Sequence, residues 1–95
     1  MTAYDRAQAM VFDAIDVVNR QLPAARRLTK TPATVLVGAG GTLDSLGVVN
    51  FVLALEEKAA AAGIAVALLD EDMLVEQSPL RTVDSVCRHL AARLA

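Results

Sequence analysis

Apolar residues return at three- and four-residue intervals in three stretches of this chain, and between the first two that rhythm stops. Such spacing lines one face of an α-helix, so the fold has to bury helical faces against one another. Tyr4, Ala7, Val11, Ala14, Ile15, Val18 and Leu22 form the first stripe, while Asp5, Asp13, Asp16 and Arg20 fall mostly off it. This predicts a helix over residues 3–21, capped by Thr2 and ended by Pro23. From Ala24 to Leu43 no helical period survives. Pro32, Gly38, Gly40 and Gly41 mark a long connection there, with one apolar patch, Val35-Leu36-Val37.

A second helix is expected from Asp44 or Ser45 to about Ala62, with Gly63 as its stop. A short third helix is expected over residues 70–77. Asp70 suits its cap, Glu71 and Asp72 suit the positive end of its dipole, and Pro79 prevents continuation. The last helix should run from about Thr82 to Leu94, with Thr82 as cap and Val83, Val86, Cys87, Leu90 and Leu94 as its buried stripe. The sum is an all-α, four-helix bundle in a single domain over residues 1–95: three main helices, one short one and a long first loop.

Composition narrows the function classes. Hydrophobic residues make up 55% of the chain but aromatics only 3%, which favours close helix packing over large cavities. A net charge of −2 gives no basic field for nucleic acid or an anionic membrane surface. A single cysteine, Cys87, rules out an internal disulfide framework and fits a reducing compartment. Asp5 and Arg6 arrive before a secretory apolar run could form, and no stretch is long enough to span a bilayer. A cytoplasmic domain with no membrane insertion is expected.

Val35-Leu36-Val37-Gly38-Ala39-Gly40-Gly41 looks like a strand entering a dinucleotide-binding loop, with Ile64–Asp70 as a second strand. The third glycine of that fingerprint would fall on Leu43, where close helix–strand contact wants no side chain. Asp70 lies beyond the usual spacing for a ribose-binding acid. A two-stranded parallel sheet would also lack the partners it needs to bury both faces. A nucleotide-binding fragment using the Gly38–Gly41 loop is therefore the weakest reading.

The second helix divides into two faces. Val48, Phe51, Val52, Leu55, Ala59 and Ala62 gather on one side as the core contribution. Leu46, Asn50, Leu53 and Glu57 follow i, i+4, i+7, i+11 spacing on the other, starting just after Ser45. A pair of leucines beside a serine at a helix start suits a contact surface for a partner. Helix N-termini favour anions, so Ser45 is placed to carry a phosphodiester. Gly40 and Gly41 would leave room for a modifying enzyme. The plainer alternative makes Asp44 or Ser45 an N-cap.

Gly-Gly-x-Leu-Asp-Ser-Leu-Gly-x-Val-x-Phe-x-x-x-Leu-Glu, as it stands at Gly40–Glu56, resembles the attachment site of the acyl carrier and peptidyl carrier protein family. The likeness spans nearly the whole chain, with high specificity in the second helix and low specificity elsewhere. It implies an acyl-carrier-like bundle in which Ser45 bears 4′-phosphopantetheine, taken from coenzyme A by a phosphopantetheinyl transferase. It further implies a stand-alone carrier that catalyses nothing and holds an acyl or aminoacyl group as a thioester. Its partners would be a loading ligase and a downstream transferase or synthase. Asp44, Leu46, Asn50, Leu53 and Glu57 would then form the partner-binding surface.

Two departures from that family's pattern matter. Carriers of fatty acid synthesis commonly place acids where this chain has Gly47 and Asn50. Here the acidic strip is thinned to Asp44, Glu56 and Glu57, with Lys58 alongside. Gly47 after Asp-Ser-Leu is more similar to D-alanyl carriers and other specialised carriers. Partner attraction should then rest more on the leucines and depend less on salt. An unmodified helical interaction module using the Leu46/Leu53 face is the main alternative.

Elsewhere the residues read as structural. Cys87 and His89 are two apart on a helix and point to nearly opposite sides, so they form no nucleophile–base pair. Cys87 is expected as a core filler and His89 as a solvated residue near the helix end. Asp70, Glu71 and Asp72 fit helix capping better than a metal site. Arg26, Arg27 and Lys30 form a small basic cluster in the first loop, read as solvated, with contact to a partner or to a cofactor phosphate as the alternative. Nothing forms a catalytic constellation.

Overall fold

The computed structural model describes residues 2–36, 43–63 and 81–94, and of Ser45 the backbone only. Three α-helices and one 3-10 turn make up its regular structure: α1 (Ala3–Asn19), the turn at Ala24–Arg26, α2 (Ser45–Ala61) and α3 (Val83–Leu94). The described residues contain no strand. The expected short helix at 70–77, the glycine loop at 38–41, the segment Ile64–Asp70 and the Asp70, Glu71, Asp72 group lie outside the described residues.

Each helix starts where side-chain chemistry supplies an acceptor for loose amide hydrogens. At α1 the Thr2 hydroxyl accepts from the Asp5 N–H at 3.1 Å, and the Asp5 carboxylate accepts from the Thr2 N–H at 3.2 Å. This reciprocal box satisfies two donors that the helix cannot satisfy itself. The same device recurs at α3. Thr82 Oγ1 accepts from the Ser85 N–H and Ser85 Oγ accepts from the Thr82 N–H, both at 3.0 Å.

The ends follow from backbone constraints. α1 stops at Asn19, short of the expected residue 21, and tighter i to i+3 bonds carry the chain through Leu22. Pro23 biases Leu22 away from helical geometry, which explains the early stop. α2 closes at Gly63, whose φ of +82° is a left-handed conformation that glycine alone adopts without strain.

α1 packs against both α2 and α3 and is the hub of the core. Its Ala7, Val11, Ala14, Ile15 and Val18 are buried against Val48, Phe51, Val52 and Leu55 of α2 and Val83, Val86, Cys87 and Leu90 of α3. Each larger apolar side chain here contributes about 1.5–3 kcal/mol on burial. Ala7 and Ala14 are fully buried and small enough for neighbouring helices to approach closely. Met10, Phe12 and Val17 are half-buried against the core, so the apolar face of α1 is wider than the predicted stripe. Ala62, expected in the core, is exposed because α2 has already ended at Ala61.

Two loop leucines complete the core. Leu28 is 5% exposed and is pinned by the Asn19 side chain, which imitates a backbone partner. Asn19 Oδ1 accepts from the Leu28 N–H at 2.8 Å, while Nδ2 donates to the Leu28 carbonyl at 3.0 Å. Leu36 is 1% exposed, and its N–H donates to the Arg81 carbonyl at 2.7 Å. Val35 and Thr82 form an isolated antiparallel bridge. That arrangement fastens the first loop to the start of α3. It also differs from the parallel strand that a dinucleotide-binding reading would require at Val35.

Candidate functional site

The start of α2 is organised by Asp44. Its backbone is extended (φ −82°, ψ −176°), and its Oδ1 accepts from the Gly47 N–H at 2.7 Å. Its carbonyl accepts from the Val48 N–H at 2.9 Å. Asp44 is therefore the N-cap and Ser45 the first residue inside the helix. Of the two capping candidates in the sequence, the aspartate takes the role. Ser45 opens the helix without having to close it off.

Gly47 is buried beneath this cap. A Cβ built there would lie 3.1 Å from Leu43 Cδ2, 3.3 Å from Asp44 Oδ1 and 3.4 Å from Leu43 Cβ. The first two approaches are tight, so the missing side chain lets Leu43 and the Asp44 carboxylate close over the first turn. Sequence reasoning took Gly47 as the loss of an acid and as a likeness to D-alanyl carriers, and did not consider what a side chain there would meet. The overlooked signal was its position three residues after a capping aspartate, where a side chain that reaches back is usual.

The outward stripe of α2 divides further. Leu46 and Leu53 are 68% and 52% exposed, and they are the large apolar side chains left open among the described residues. Glu57 is exposed beyond them. Asn50 is half-buried and turned toward the end of α1, where its Nδ2 donates to Gln21 Oε1 at 3.2 Å. Lys58 is exposed and Glu56 half-buried.

Between the end of α1 and the start of α2 runs a groove of about 270 Å³. Asp44, Leu46 and Asn50 line one side, and Leu22, Pro23 and Arg26 line the other. A shallower depression of about 420 Å³ lies over Asp16, Asn19, Arg20 and Arg27. Here the basic cluster of the first loop has structural partners. Lys30 pairs with Asp16 at 3.1 Å, and Arg27 Nε donates to the Leu22 carbonyl at 3.4 Å.

α3 holds the remaining titratable groups. Cys87 is fully buried, and burial together with nearby Asp84 pushes its thiol up to about 11. His89 corrects the expectation of a solvated residue. It is half-buried, and its Nε2 is buried with no hydrogen-bond partner among the described residues. Tyr4 donates its hydroxyl to Asp84 Oδ1 at 2.7 Å, and Asp84 also pairs with Arg88 at 2.9 Å. The bond to Asp84, reinforced by burial, raises the Tyr4 phenol to about 12. These contacts tie α1 to α3 and lie on elements other than α2. Among the described residues, no group of three or more His, Cys, Asp or Glu side chains could hold a metal, and no helix is long and apolar enough to cross a membrane.

No family model, curated protein or solved structure matches this chain.

Proposed function

We propose that this chain is a carrier protein that holds an acyl or aminoacyl group on a 4′-phosphopantetheine arm attached to Ser45. The observation that carries the reading is the division of labour at the start of α2. Asp44 supplies the cap, so Ser45 heads the helix beside exposed Leu46 and within the Asp-Ser-Leu sequence that resembles carrier proteins. Segment 70–77 would supply the short helix that completes an acyl-carrier-like four-helix bundle.

The described residues fit such a group. Gly47 lets Leu43 and the Asp44 carboxylate close over the first turn, and the adjoining groove offers apolar and polar walls along the start of α2. When bound, the arm supplies a thiol on a long tether, on which cargo is held as a thioester. The chain's own residues do the rest. Asp44 holds the first turn of α2 so that Ser45 is presented at a rigid helix end. Leu46 and Leu53 offer the apolar contact by which a phosphopantetheinyl transferase, a loading ligase and a downstream transferase or synthase would dock. Glu57 adds one charge at the far end of that surface. Tethering raises the effective concentration of cargo at each docked active site.

The test is incubation with coenzyme A and a broad-specificity phosphopantetheinyl transferase, followed by intact mass. The Ser45 oxygen should displace adenosine 3′,5′-bisphosphate at the phosphorus that carries pantetheine, with the hydroxyl proton going to the enzyme. Wild type should gain one arm and Ser45→Ala none. A wild type that gains nothing would leave the unmodified interaction module, which the exposed Leu46 and Leu53 also favour.

A further inference from the structure

The groove between α1 and α2 begins at the residues that flank Ser45. Asp44 and Leu46, one on each side of the serine in sequence, both line it. The backbone of Ser45 therefore passes along the groove's edge. Its walls change character from place to place. Leu22, Pro23 and Leu46 are apolar, whereas Asn50 and Gln21 form a side-chain amide pair on the wall. Besides the bonded atoms, that pair carries one further acceptor, Asn50 Oδ1, and one further donor, Gln21 Nε2. Arg26 brings a guanidinium, and the Asp44 carboxylate is engaged by the Gly47 N–H.

Resting on the Ser45 reading above, we infer that this groove seats the half of the arm nearest the serine and leaves the thiol end outside. The chemistry of the two surfaces corresponds. A branched dimethyl carbon suits Leu22, Pro23 and Leu46. A hydroxyl and an amide suit the Asn50–Gln21 pair, and a phosphodiester suits Arg26. Size limits the occupant. At about 270 Å³ the groove falls just below the range of roughly 300–1,000 Å³ that encloses whole drug-sized ligands. It takes part of an arm and has no room for cargo. The carrier would thus hold every cargo in the same posture, and selection among cargoes would fall to its partner enzymes.

Nuclear magnetic resonance of the isotopically labelled chain, before and after loading with coenzyme A and the transferase, tests this. Loading is confirmed by mass. The arm's geminal methyl protons should show nuclear Overhauser contacts to Leu22 and to Val18 of α1, which lies at the groove's floor, and the side-chain amides of Asn50 and Gln21 should shift. In Asn50→Ala the helical circular dichroism should hold, while the arm's amide protons exchange roughly two- to tenfold faster, the worth of one hydrogen bond. A confirmed arm with no contact to α1, or with exchange unchanged in Asn50→Ala, overturns the groove and leaves Ser45 as the anchor. A chain that gains no arm overturns both.

Discussion

Asp44 has two candidate roles, structural cap and partner contact, and a pair of substitutions separates them. Asp44→Ala removes the 2.7 Å bond to the Gly47 N–H and leaves the first turn of α2 with an orphan donor. Losing an N-cap costs about 0.5–2 kcal/mol, typically ~1. Losing a carboxylate near the positive end of the dipole adds about 0.3–1 kcal/mol. With the typical cap value the sum is roughly 1.3–2 kcal/mol, which in a domain of this size lowers the melting temperature by roughly 5–16 °C. Asp44→Asn keeps an oxygen at the acceptor position and caps nearly as well, so it should lose only the dipole part. Thermal unfolding followed by circular dichroism reads both. Asp44→Ala melting within about 1 °C of wild type would refute the capping argument. The rate at which the transferase modifies each variant then isolates the second role. If Asp44 acts through the cap alone, Asp44→Asn is modified at close to the wild-type rate. If its charge also meets the enzyme, both variants slow together.

Two further outcomes follow from α3 and its partners. The chain has one tyrosine and no tryptophan, so phenolate absorbance reports Tyr4 alone. Ionisation should centre near pH 12 rather than the ordinary 10 while the fold persists. Because the folded value is raised, the stabilisation is complete below pH 10 and is lost as pH climbs toward 12. Tyr4→Phe should remove that part of the alkaline dependence and leave the part due to the raised Cys87 thiol, and a native midpoint near 10 would refute the Asp84 bond. The sole cysteine is buried, with its thiol raised to about 11. A disulfide reagent such as Ellman's should therefore find no fast thiol in the native chain and one after denaturation. Loading the arm should add one fast thiol without denaturant, and rapid reaction of the unloaded native chain would contradict the burial of Cys87.

The helices were legible because cap, period and stop agreed. Thr2, Asp44 and Thr82 stand where each helix begins, and Gly63 stands just past the end of α2. The core face of α2 was legible for the same reason, and Val48, Phe51, Val52, Leu55 and Ala59 are all buried. The loop contributions were not. Leu28 and Leu36 sit in segments without period, so only the tertiary partners Asn19 and Arg81 reveal why they are buried. His89 was misplaced because a position near a helix end says nothing about what covers it. At the site, the sequence ordered Ser45, Leu46 and Leu53 along the helix and pointed both leucines outward. It left open whether Asp44 or Ser45 capped, a matter of one backbone torsion. It also missed the groove, because Pro23 and Asn50 are far apart in the chain and meet only when α1 lies against α2.

The central position of α1 has a consequence for biosynthesis. Its two faces are completed by helices that come later, and the Tyr4 hydroxyl waits for an acceptor eighty positions downstream. A growing polypeptide would expose the oily sides of α1 until α3 leaves the ribosome, because neither later helix alone can cover both. Enclosure of α1 should therefore wait for α3, so that a helix made before both of its partners is covered only once both are present.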